Sequence, residues 1–191
     1  LVCGAGCSFD ASGCFGNGPI ALALSTNGTG GGTYVCRING VGSPQPCGAS
    51  YPYATSVQII ATPSATAPTH SHVTGWSGDC ASAGSATTCT VTLLAPRATA
   101  ITFDLDMVTV SVTISGTGSG TVTDSGGTFT CPTGICTHDY LWGVAVSFPR
   151  PTANPGSSFL AWSGACAGGN TCSLSANQMQ SNQSLIATFG P

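Results

Sequence analysis

Lysine and glutamate are absent from this chain. Its 191 residues carry three arginines and six aspartates, so 5% are charged, against roughly 25% in ordinary soluble proteins. Without lysine there is no basic patch to hold a nucleic-acid backbone. Without glutamate, and with no Gly-x-Ser-x-Gly elbow or His-Glu-x-x-His helix, the usual hydrolytic constellations are missing, and the chain reads as non-catalytic. No run of about 18 apolar residues occurs, so nothing reads as a membrane span. No cysteine pair has the Cys-x2-Cys spacing of zinc or iron–sulfur sites, and no metal or cofactor is expected. Long amphipathic helical segments are also lacking, with room for one turn at 175–182. The start, Leu1-Val2-Cys3, has no basic or apolar leader, so a signal peptide reads as already removed, and Val2 is larger than the residue expected before a lipidated cysteine.

In place of charge there are 23 serines, 26 threonines and 27 glycines, and 41% of the residues are apolar, enough to build a core. Eleven cysteines without metal spacing read as disulfides, which imply an oxidising compartment and hence secretion.

The chain repeats itself. Gly28-Thr29-Gly30-Gly31-Gly32-Thr33 is echoed by Gly116-Thr117-Gly118-Ser119-Gly120-Thr121, and Gly75-Trp76-Ser77-Gly78-Asp79-Cys80 by Ala161-Trp162-Ser163-Gly164-Ala165-Cys166. Trp76 to Trp162 and Phe103 to Phe189 are both offsets of 86. Two tandem units follow, 19–105 and 106–191, behind a Cys- and Gly-rich extension, 1–18. Within each unit the period is two: Val108, Val110, Val112 and Ile114 alternate with Thr109, Ser111, Thr113 and Ser115, as in a half-buried strand. The expectation is all-β, with four to six strands per unit, little helix, and small β-sheet domains stapled by disulfides.

The cysteines follow the repeat. Cys36 and Cys47 correspond to Cys131 and Cys136, and Cys80 and Cys89 to Cys166 and Cys172. Local pairing within each couple is the simplest of the three connectivities open to each unit. Cys3, Cys7 and Cys14 remain in the extension, an odd number that cannot close within one chain.

A strand, then Gly-x-Gly-x-Gly-Thr, a cysteine pair, Trp-Ser-Gly-x-Cys, another cysteine and a terminal Ala-Thr-Phe or Ile-Thr-Phe together resemble the divergent internalin B-type repeat, also called the bacterial repeat domain. The resemblance covers 19–103 and 108–189. It implies a β-grasp-like fold, alongside the sandwich-like one that alternation alone allows, and a place in secreted or surface-anchored bacterial proteins as a spacer or adhesive module. It brings no catalytic residues.

Trp76, Trp162, Phe103 and Phe189 recur in both copies and read as core rather than as a sugar platform. Tyr51 and Tyr53 match Tyr140 and Trp142; each pair is spaced by two, which places it on one strand face as a ligand or subunit contact. His70, His72 and His138 read as polar loop residues rather than a copper or zinc site. Asp104 and Asp106, at the joint between repeats, are too few carboxylates for calcium. Asn27-Gly28-Thr29 and Asn182-Gln183-Ser184 fit the N-glycosylation pattern at Asn27 and Asn182, usually idle in a bacterial chain.

Two readings of the extension stand. In one, Cys3, Cys7 and Cys14, followed by the apolar strand 19–25, link one subunit to the next through strand addition and a disulfide. In the other, the extension is a disulfide-knotted cap with one unpaired thiol. The functional expectation is a secreted bacterial structural protein, a self-assembling subunit of a surface filament or fibre whose partner is itself. The alternative is a non-catalytic adhesin or carbohydrate-binding module that holds glycans.

Overall fold

The computed structural model describes residues 18–191, together with the backbone of two short antiparallel strands, β1 (Val2–Cys3) and β2 (Phe9–Asp10). The side chains of Cys3, Cys7 and Cys14 lie outside the described residues.

The first repeat runs through β3 (Ile20–Asn27), β4 (Gly32–Ile38), β5 (Val41–Gln45), β6 (Ser50–Tyr51), β7 (Ser56–Pro63), β8 (Ser71–Gly78), β9 (Thr88–Thr92) and β10 (Arg97–Leu105). The second runs through β11 (Met107–Gly116), β12 (Gly120–Thr123), β13 (Thr130–Cys131), β14 (Ile135–Leu141), β15 (Val146–Phe148), β16 (Thr152–Ala153), β17 (Ser158–Gly164), β18 (Cys172–Leu174) and β19 (Gln183–Gly190). Among the described residues, helix is confined to two short 3-10 turns, Ala81–Ala83 and Gln178–Gln180.

Each repeat has one main sheet, ordered β6-β3-β10-β8 in the first and β14-β11-β19-β17 in the second. The first and last strands of the repeat lie parallel at its centre, with Leu22–Asn27 against Arg97–Thr102 and Val110–Gly116 against Gln183–Phe189. This central parallel pair carries the β-grasp-like element of the fold. The covering layer is a second sheet rather than a helix, which supplies the sandwich-like element. In the first repeat that layer is β5-β4-β7-β9; in the second it is split into β13-β12-β16 and β15-β18. The split falls at Pro149 and Pro151, whose missing N–H groups interrupt the ladder that the first repeat continues through β7.

Both sheets feed one core per repeat. Leu22, Ile59, Trp76, Val91, Ile101 and Phe103 are buried together in the first, and Val110, Val122, Phe148, Trp162, Leu185 and Phe189 in the second. The alternation along β11 has the outcome its period demands, with Val108, Val110 and Val112 buried and the intervening Thr109, Ser111 and Thr113 partly open to water. Four disulfides, Cys36–Cys47, Cys80–Cys89, Cys131–Cys136 and Cys166–Cys172, close loops of sequence separation 11, 9, 5 and 6. In the chain-entropy account each contributes about 2–3 kcal/mol.

Three expectations change. Residues 19–25 are not a strand held in reserve for a neighbour: Ile20–Asn27 is a central strand of its own repeat, and Leu22 is in the core. Tyr51 and Tyr53 do not share a face, because β6 stops before Pro52 and the chain turns at Ala54 (φ 62°), leaving Tyr51 buried and Tyr53 exposed. The division into units also shifts: residues 65–70 group with Leu105–Pro191, and Ser71–Asp104 with the described residues up to Ser64. The reason is local. The N–H of Asp106 donates to the carbonyl of His70 at 2.9 Å, and the His70 ring stacks on Trp142.

The repeated glycines answer to the last strand. Gly28 (φ 97°) and Gly116 (φ 98°) sit in the left-handed region, where a Cβ would collide with the carbonyl oxygens of Phe103 and Phe189. Those same oxygens accept from the N–H groups of Gly30 (2.8 Å) and Gly118 (3.0 Å). Gly116→Ala is therefore expected to cost about 1–3 kcal/mol, read as a lower urea midpoint for the second repeat; a midpoint equal to the wild type would contradict this packing.

Candidate functional site

What recurs in both repeats is spent on folding. The indole Nε1 of Trp76 donates to the carbonyl of Ala86 at 2.7 Å, inside the loop closed by Cys80–Cys89. That of Trp162 donates to Asn170 at 3.3 Å, inside the loop closed by Cys166–Cys172. Both rings are buried, as are Phe103 and Phe189. Each tryptophan thus joins the core to a stapled loop and offers no free face for a ligand.

The other aromatic residues do not form a platform within either repeat. Tyr51 is in the first core, with its hydroxyl accepting from Gly48 N at 2.7 Å. Tyr53 is the exposed one of that pair. Tyr140, half-buried in β14, donates to the Asp124 carboxylate at 3.3 Å. Trp142 lies just past the end of β14, its face covered by His70 with ring centroids 3.9 Å apart and planes inclined by 23°.

The acidic residues serve as local ties. Asp104 accepts from Thr29 N and Oγ1, both at 3.0 Å, and from Thr74 Oγ1 at 2.7 Å. The Thr29 backbone bond leads the causes that hold its pKa below the usual carboxylate range. Asp106 pairs with His70 Nδ1. His138 packs edge-on against Tyr140, while His72 is exposed on β8. Among the described residues, no three His, Cys, Asp or Glu side chains come together as a metal site. Asn27 and Asn182 are both exposed; Asn182 Oδ1 accepts from Thr109 N at 3.0 Å.

Asp124 is the buried acid. Burial pushes its pKa up, but the N–H of Phe129, the hydroxyl and N–H of Thr128 and the hydroxyl of Tyr140 outweigh that and bring it below its ordinary value. Burial, then the Asp124 charge and its hydrogen bond, raise Tyr140 well above the usual phenol range. These bonds fold the turn 124–129 back against β14.

The feature that sequence reasoning missed is where the repeats differ. Cys47 and Tyr51 are separated by the same distance in sequence as Cys136 and Tyr140, yet β14 is seven residues long and β6 two. The available signal was composition: Pro46, Gly48 and Ala49 favour strand poorly, whereas Ile135, Thr137 and Tyr140 favour it well. The short β6 leaves part of β3 without a neighbour, beside a groove lined by Leu22, Leu24, Tyr34, Cys47 and Gly48.

The depressed Asp124 pKa contributes stability that is present above the unfolded carboxylate value, about 4, and is lost as pH falls through the folded value. Asp124→Asn is accordingly expected to lower the urea midpoint at pH 7, by about 1–3 kcal/mol in stability. The gap to wild type should close as pH falls below about 4. A gap that is constant from pH 7 to pH 2 would contradict the charge-based tie.

No curated protein matches the sequence. Among solved structures, the Bacillus anthracis TIE protein is similar with a TM-score of 0.47 at 9% identity, over 90% of this chain and 34% of that one. The chain thus spans about a third of that protein's length. A family model for the divergent InlB B-repeat domain matches residues 110–191, from within β11 to the end of the second repeat. The second repeat is thus similar to the divergent InlB B-repeat domain, and the first repeat has the same main-sheet order and an equivalent pair of disulfide-closed loops.

Proposed function

We propose that this chain is a non-catalytic structural protein of the bacterial cell exterior, a subunit that assembles with copies of itself into a surface filament or fibre. The observation that carries this is cysteine arithmetic. Eight cysteines are closed in pairs within the repeats, and three remain in residues 1–17. Three is an odd number, so these cannot all pair among themselves, and a bond from one of them to a second copy accounts for the remainder.

The surface supports the same reading. Monomeric β proteins blunt their sheet edges with charge, lysine above all, and this chain has none. Its disulfides suit an oxidising exterior, and a trypsin-like protease finds at most three cleavage points, Arg37, Arg97 and Arg150, the last of them followed by Pro151. In such a polymer the two cores carry load and the stapled loops resist unravelling. Glycan binding, the alternative, has less support, since Tyr51, Tyr140 and Trp142 are each engaged within their own compact unit.

The test is the intact mass of native material, alkylated before denaturation and analysed without reductant. A ladder of subunit multiples that collapses to one mass on reduction, and that is lost when Cys3, Cys7 and Cys14 are all changed to Ser, is expected. A single monomeric mass with one alkylated thiol would overturn the covalent link. A glycan-array signal abolished by Trp142→Ala would move the reading to a binding module.

A further inference from the structure

The main sheets of the two repeats differ at one edge. In the second, β14 pairs with β11 over Met107–Thr113, and the carbonyl of Gly134 continues the ladder by accepting from Ile114 N at 2.8 Å. In the first, β6 pairs with Ile20 and Ala21 alone, and the last bond on that side runs from Leu22 N to the carbonyl of Ala49 at 2.9 Å. Backbone groups alternate sides along a strand, so Leu24 and Thr26 present their N–H and C=O groups on the same side as Leu22. Among the described residues, neither of these N–H groups has a partner there. The opposite side of β3 is occupied by β10 as far as Asn27.

This open stretch carries none of the features that protect an edge. Leu24 to Asn27 contains no charge, proline or bulge, whereas β17 is bulged at Phe159/Ala161, β14 carries Asp139 and β5 carries Pro44. Beside it lies the groove whose apolar part is Leu22, Leu24 and Tyr34, with Leu24 and Tyr34 half-buried. An arriving strand finds main-chain bonds at the edge and a pocket for alternate side chains, the two requirements of strand addition.

The extension supplies a matching pattern. In residues 9–15, Phe9, Ala11, Gly13 and Phe15 alternate with Asp10, Ser12 and Cys14, the period of a strand with one apolar face; Phe9 and Asp10 are β2, whose pairing with β1 takes up one side of that strand. Residues 9–15 join Ile20 through 16–19, and β6 with Ala49 already holds the edge beside Ile20–Leu22. The same segment of a second copy does not have to cross that stretch.

We infer that residues 9–15 of one copy add as a strand to the open edge of β3, at Leu24–Asn27, in the next copy. They take there the position that β14 takes within the second repeat. The inference rests on the filament reading and gives it a joint: donor and acceptor are different surfaces, so the contact is head-to-tail and propagates into an open chain of subunits.

The experiment is amide hydrogen exchange on the full-length chain at rising concentration, alongside light scattering. In multimers the amides of Leu24 and Thr26 are expected to exchange about tenfold or more slowly than in dilute chain. Thr26→Pro removes the N–H that faces the gap without touching the β10 ladder, and should leave a folded monomer with an unchanged circular dichroism spectrum. Should that variant misfold, Phe9→Asp with Phe15→Asp alters only the donor, outside both repeats, and should likewise give monomers. A synthetic peptide of residues 9–15 carrying Cys14→Ser should break multimers into single chains. Multimers with unchanged exchange at Leu24 and Thr26, or with protection along β8 instead, would overturn this joint and leave the filament reading standing. Protection in a monomer at every concentration would show the gap filled from within and overturn the exchange between copies. Absence of multimers at all concentrations would overturn both readings.

Discussion

Each repeat depends on one pairing, in which its last strand lies parallel to its first at the centre of the main sheet. Everything else in the repeat is placed by that closure. The glycine at the end of the first strand has no side chain because the terminal phenylalanine's carbonyl passes there, and the phenylalanine ring fills the core beneath. The pairing joins the two ends of a stretch of more than 80 residues, so it is non-local, and parallel strands require a long connection between them. The disulfides close local loops and do not tie the central pair itself, although Cys136 lies opposite Val112 and Cys47 beside Leu22 and Leu24. They restrict the irregular connections, whose backbone contributes few ladder bonds, while the regular strands hold themselves.

A chain so poor in charge must meet water by other means. Here threonine and serine occupy the outward positions of the strands, where β-branching suits the pleat and the hydroxyl supplies polarity. The few acids are used as ties between strands and turns, as at Asp104 and Asp124. The consequence is an uncharged open edge at Leu24–Asn27 of β3. In a monomer that would be a hazard; in an assembling subunit it is the means of assembly.

Much of the fold was legible in the sequence because the signals were redundant. The alternation of Val108 to Ile114 with threonine and serine, the paired Trp-Ser-Gly-x-Cys motifs and the matching glycine runs all describe the same two-sheet unit. Less legible were features set by register. The truncation of β6 follows from how Cys47, Gly48 and Ala49 run beside β3, and no periodicity marks where a two-residue strand ends. The role of residues 19–25 was misplaced for the same reason: an apolar strand next to an extension has one appearance in sequence whether it is lent to a neighbour or kept, and only its pairing with Arg97–Thr102 decides. His70 covering Trp142 was beyond reach, since nothing local relates residues so far apart in sequence. The pattern across the molecule is that residues repeated in both copies build the fold, while the differences between the copies leave the open edge of β3 at Leu24–Asn27.

That division is tested most directly by sedimentation velocity of the native full-length chain across a hundredfold range of concentration, with negative-stain electron microscopy of the same samples. The account predicts linear polymers that lengthen with concentration and are built of one repeating subunit. A single monomeric species across the whole range, with no fibres on the grid, would contradict it.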